Sequence, residues 1–206
     1  KSEMTVVRNE LERGENSPHR VLSQALWAAA FVSHPYHAPT IGWRSDVQAI
    51  SKNMVHLKHF YEHYYKPNNA ILLASGSFDT EDVLKQVDAV FGNVSNGVPK
   101  DKEEEDAPIT TEIPQRGVRS FVEVRETTPV PIVALAFKAP GALEKDTAAL
   151  QVLADIMGGS STGILHLLLV DSLKLASEVS CELESFKDYS LLVTTVVIDA
   201  STKKSP

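Results

Sequence analysis

The sequence holds one cysteine, Cys181, so no disulfide can close within it. At 206 residues a hydrophobic core needs no such staple. A lone cysteine in a stretch of strand character reads as a small apolar packing residue, and it leaves the compartment open. Long apolar runs are also missing. The longest, Ala25–Val32, falls far short of the ~20 residues a membrane-spanning helix needs, so no span is expected. Positive charge is scarce: 20 Lys and Arg stand against 27 Asp and Glu, for a net charge of −7. That excludes a basic stripe for nucleic acid and a polybasic membrane anchor. No short-period repeat is visible. The opening Lys1-Ser2-Glu3-Met4 shows no basic-then-apolar leader, so any signal peptide is expected to be removed or never part of this stretch. With 43% hydrophobic and 23% charged residues, the chain matches ordinary globular domains rather than a disordered polymer, a collagen or a coiled coil.

The acidity is uneven. Residues 1–98 carry 9 basic and 10 acidic residues, and residues 99–206 carry 11 and 17. The run Asp101–Asp106 supplies much of the difference. It lies in residues 93–116, which also hold Pro99, Pro108 and Pro114, and this stretch is the best linker candidate. Before it, Met4, Val7 and Leu11 recur at helical spacing over Glu3–Glu12. Ser17-Pro18 reads as an N-cap with proline in the first turn of a second helix, which ends at His34-Pro35. His34–Trp43 is an ordered loop, Ser45-Asp46 caps a short helix, and Met54–Tyr65 is a longer helix. Ala70–Ala74 reads as a short apolar strand, and Asp79 or Thr80 opens a helix through Phe91. After the linker, Arg119–Arg125 and Ile132–Phe137 read as strands, and Asp146–Met157 and Thr162–Leu173 as helices. Val179–Glu184 and Leu191–Ile198 form a hairpin through Lys187-Asp188.

Two constellations could carry chemistry. His59-Phe60-Tyr61-Glu62-His63 matches the inverted zinc pattern H-x-x-E-H, in which histidines four apart on a helix grip a metal beside a glutamate base. The alternative is a wet histidine face on an amphipathic helix. Glu3 and Glu10 lie seven apart, almost two helical turns, so their carboxylates share one face about 20° apart. A carboxylate beside an apolar stripe is costly unless it is paired or binds a metal. Spacing alone favours two solvated glutamates.

Context reverses that preference. Lys1–Asn16, then His34–Trp43, then His59–Asp79 with its HFYEHYYKPNNAILLASGSFD run resemble the insulinase/pitrilysin family of zinc metallopeptidases. That family follows its inverted motif with a helix bearing a third-ligand glutamate and another glutamate seven residues before it. An HPY…IG segment comes next, then FYxxYYxPxNAxLLxxG. Val118–Leu192 resembles the start of the family's next domain, through Pro140-Gly141, Gly158-Gly159-Ser160-Ser161 and Leu175–Ser180. The phrase Met4–Glu10 is most similar to the long bacterial members.

The resemblance implies an α+β fold, with helices packed on mostly antiparallel sheets in two partial domains. Residues 1–92 are then the later part of the zinc-binding peptidase domain, 93–116 the linker, and 117–206 the early part of the following homologous domain. Glu10 matches the third zinc ligand and Glu3 the upstream glutamate that supports the site from nearby. The HFYEH run matches the FYxxYY segment, not the zinc motif, which falls before Lys1. The implied parent hydrolyses peptide substrates with Zn²⁺ held by two histidines and Glu10. This chain alone is expected to be inactive and to bind no zinc tightly. Its partners are the peptide and the N- and C-terminal parts of the same protein. The periplasm or cell envelope is open to a bacterial member. Val170 and Ser177 stand where active members carry a substrate-holding Arg and Tyr, and neither can do that work. The rival reading is a non-catalytic structural or substrate-holding subunit of the same family. Each partial domain should lack strands of its sheet and leave edges open.

Overall fold

The computed structural model describes residues 2–50, 54–96, 109–126 and 130–202. The acidic run 101–106 lies outside them. In chain order the helices and strands are α1 (Ser2–Glu15), α2 (Pro18–Ala30), α3 (Arg44–Ile50), α4 (Met54–Tyr64), α5 (Thr80–Phe91), β1 (Ile132–Pro140), α6 (Thr147–Gly158), α7 (Ile164–His166), β2 (Ala176–Ser185) and β3 (Tyr189–Ile198). Short 3₁₀ turns occupy Pro35–His37 and Pro67–Asn69, and a π-helix runs over Leu167–Ser172. The chain divides into two compact units. One comprises Lys1–Arg8 and Gly42–Ile109, the other Asn9–Ile41 and Thr110–Pro206.

The second unit holds an antiparallel sheet of order β1-β3-β2. Central β3 is paired along both edges, with Phe137 opposite Leu192 and Leu192 opposite Leu183. Side chains alternate across it, so each face builds its own core. On one face Ala139, Cys181 and Leu183 pack with Ala154, Leu150 and Met157 of α6. Cys181 is therefore a buried, free packing residue. The end of α6 presses so closely on β2 that a Cβ on Gly158 would stand 2.9 Å from the Cys181 backbone nitrogen. On the other face Leu191 and Val193 pack with Phe31, and Leu26, Trp27 and Ala30 of α2 close over them. Trp27 stacks on Phe31 at 5.4 Å and meets Phe186 edge-on at 4.9 Å. The Trp27 indole also donates to Glu184 Oε2 at 2.6 Å. The sheet thus lies between α6 and α2.

Local chemistry sets the helix ends. Ser17 Oγ accepts from the Arg20 N–H at the start of α2, with Pro18 following it. Asp79 accepts from the Asp82 N–H at the start of α5, and Gly92 ends it. In the first unit Val47 is the one buried apolar side chain among the described residues. Phe60, Tyr61 and Phe91 there are about half exposed.

Two expectations need correction. Ala70–Ala74 is not a strand: among the described residues no ladder pairs it, and Ile71 and Leu73 are 91% and 89% exposed. Arg119–Arg125 is likewise unpaired, with Val122 and Val124 exposed. Both have strand-like composition, but a strand exists only when a neighbour takes its backbone hydrogen bonds. The helix expected over Thr162–Leu173 is present from Ile164 to Ser172, as one α-turn that widens into the π-helix, closed by Leu173 N–H to Leu168 C=O at 2.9 Å. Lys174 follows in the left-handed region at φ 56° and turns the chain into β2.

Candidate metal centre

Glu3 and Glu10 both lie on α1 and both are exposed. The helix forms because Met4 and Val7 are half-buried and Leu11 is buried at 5% exposure. Glu3 sits in its first turn, where a negative charge suits the helix dipole, and Arg13 sits in its last. Among the described residues no group of three His, Cys, Asp or Glu converges well enough to hold a metal ion. Glu10 fits one position of a zinc site, as an accessible carboxylate oxygen on an anchored helix, but one ligand does not make a site.

His59 and His63 face each other on α4 with stacked rings 6.1 Å apart. The glutamate between them, Glu62, is turned to Lys58 at 3.6 Å. That arrangement is a solvated helix face. Val170 falls within the π-helix, and Ser177 lies on β2 with its hydroxyl donating to the Val197 carbonyl at 3.4 Å.

A buried charge cluster lies near the far end of α2, and it was not read from the sequence. Glu112 Oε2 accepts from three successive backbone N–H groups, Val32 at 2.9 Å, Ser33 at 2.9 Å and His34 at 3.1 Å. Its other oxygen accepts from Lys138 Nζ at 3.0 Å, and the carboxylate is 3% exposed. Consecutive N–H groups of this kind form a cradle for an anion, and here the chain fills it with its own side chain. Burial pushes the Glu112 carboxyl up. The His34 N–H, the Lys138 ammonium and the Val32 and Ser33 N–H groups together outweigh it and hold the pKa down at about 2.

Two arginines from the same segment grip helix ends. Arg119 Nη1 donates to the carbonyls of Ala29 at 2.8 Å and Ala30 at 3.1 Å, at the negative end of α2. Arg125 Nη2 donates to the carbonyl of Glu15, the last residue of α1, at 2.6 Å. His34, 2% exposed, accepts from the Tyr36 N–H through Nδ1 at 3.2 Å and faces Asp188 Oδ2 with Nε2 at 3.5 Å. Asp188 is also reached by the Tyr36 hydroxyl at 3.4 Å.

An antiparallel sheet with a helix packed on each face defines a helix-on-sheet α+β protein. Comparison with known proteins makes this specific. Residues 53–205 match the family described as the peptidase M16 inactive domain. The chain belongs to this family, the insulinase-like peptidases. It is 31% identical over 181 residues to the zinc protease PqqE of Helicobacter pylori, covering 88% of this chain and 40% of that protein. The crystal structure of a protease from Helicobacter pylori superposes with a TM-score of 0.82 at 29% identity, over 97% of this chain and 48% of that one. Subunit 1 of the bovine mitochondrial cytochrome b-c1 complex is 28% identical over 157 residues, 76% of this chain and 31% of that protein. The chain therefore spans less than half the length of each of these relatives.

Proposed function

We propose that this chain is part of a zinc-dependent metallopeptidase that hydrolyses peptides. Residues 1–92 belong to its zinc-binding domain, 93–116 to a linker, and 117–206 to the homologous domain that follows. Glu10 supplies the third metal ligand, and Glu3 supports the site from the preceding turns of α1. The two histidines and the base glutamate of the H-x-x-E-H motif come from outside these residues. In support, the chain covers only 40% of a relative named as a zinc protease. The observation that carries the reading is Glu10 itself, exposed on α1, where the resemblance implies the family's third ligand. Zinc, when bound, polarises a peptide carbonyl and lowers the pKa of its water to about 7. This chain's part is to present a carboxylate oxygen on a held helix.

The cytochrome b-c1 relative favours a second reading, a structural or substrate-holding subunit without activity. Retention of both Glu3 and Glu10 tells against it, since an inactive subunit has no use for the pair. In the intact protein Glu10→Gln is expected to weaken zinc binding by more than about 100-fold and to abolish peptide hydrolysis. Full activity in that variant refutes the ligand assignment. An intact wild-type protein that binds no zinc supports the structural reading.

A further inference from the structure

Resting on the reading of Glu10 as a ligand, we propose that Arg125 is a positioning residue for it. The last four carbonyls of a helix have no partner within the helix. In α1 one of these, the Glu15 carbonyl, is taken by the Arg125 guanidinium at 2.6 Å. Arg125 is 25% exposed and is itself steadied by Glu123 at 3.6 Å. The grip is on backbone, so it reads where the helix is rather than which side chains it bears.

Glu10 lies five residues before Glu15, about 7.5 Å along a rigid helix. Any shift or rotation at the gripped end therefore reaches its carboxylate almost undiminished. Carboxylate ligation of zinc needs an oxygen–metal distance of roughly 2.0–2.2 Å, and sites tolerate about 0.5 Å of misplacement. The neighbouring helix is held in the same way. Arg119 takes the Ala29 and Ala30 carbonyls, and Glu112 takes the N–H groups just beyond them. Residues 112–125 thus act as a charged strap across the ends of α1 and α2, with Arg125 the member that touches the ligand helix. Burial of Leu11 anchors the same turns of α1, so losing the arginine loosens the helix end without removing its packing.

The test uses the intact zinc protein with Arg125→Met, Arg125→Lys and Glu10→Gln. Zinc affinity is measured by chelator competition and thermal midpoint by calorimetry. Arg125→Met is expected to weaken zinc binding by about 10–100-fold, the range seen for groups that orient ligands. Arg125→Lys, which keeps a donor for the carbonyl, should recover most of the loss. Backbone amides of residues 10–15 should exchange hydrogen faster in Arg125→Met, with β2 and β3 unchanged. A lower melting temperature with wild-type zinc affinity overturns the proposal and leaves Arg125 a stabilising residue only. If Arg125→Met does not fold, Arg125→Lys decides: binding weakened a few-fold supports the proposal, and wild-type affinity overturns it. Glu10→Gln separates the two levels. Unchanged affinity there refutes the ligand reading and with it this inference. Loss there beside wild-type affinity in the folded arginine variants refutes the inference alone.

Discussion

A carboxylate buried as deeply as Glu112 stays charged only where donors replace its water, and here three backbone N–H groups and a lysine do so. Glu112→Gln keeps the shape but removes the charge and turns an amide NH₂ toward existing donors. It should cost about 2 kcal/mol of unfolding free energy by urea titration. The pH dependence has a definite sign. The folded pKa, about 2, lies below the ordinary value of 4.5. The contribution is therefore fully present above pH 4.5 and is lost as pH falls from there toward 2. The urea midpoint should drop across that window, and the drop should be shallower in Glu112→Gln. Equal slopes in the two proteins would remove Glu112 as the cause. None of this was legible in the sequence. Glu112 sits in a proline-containing stretch, and its N–H partners lie 78–80 positions away. Glu10 and Glu3 stood out because a helix repeats locally, whereas a charge clasp across the chain leaves no periodic trace.

Among the elements, those fixed by neighbours in sequence were read well. Ser17 and Asp79 cap the helices they were expected to cap. The β2–β3 hairpin turns through Lys187-Asp188, the short polar break between two stretches of strand composition. Strands that need a distant partner were read less evenly: β1 was expected and pairs with β3, but two other segments were not paired. Residues 70–74 and 119–125 have the composition of strands and no ladder, since composition cannot supply a neighbour. The π-widening after α7 likewise follows from no local pattern. The contact between α6 and β2 offers a sharp test. A methyl group on Gly158 would fall 2.9 Å from the Cys181 nitrogen and 3.0 Å from its Cβ, and neither atom can swing aside. Gly158→Ala should therefore lower stability by roughly 1–3 kcal/mol, seen as a reduced denaturation midpoint. An unchanged midpoint would mean that the helix end is free to lift from the sheet.

At the scale of the molecule, the two units differ in how much they bury. The unit of Asn9–Ile41 and Thr110–Pro206 has a core on each face of its sheet. The unit of Lys1–Arg8 and Gly42–Ile109 leaves aromatic and aliphatic side chains of α4, α5 and residues 71–73 in solvent. The chain covers 40% of the Helicobacter zinc protease and 48% of the matching crystal structure. Family membership and fold were legible from the run of motifs from Glu3 to Ser180. The proposed function gives this chain one role, to bring a single carboxylate ligand, Glu10, to a zinc site shared with other parts of a peptidase. The most direct test of that claim is isothermal titration of zinc into the 206-residue chain itself. The account predicts no tight stoichiometric binding. Tight one-to-one binding that disappears in His59→Ala would contradict it, and would place the metal on α4 instead.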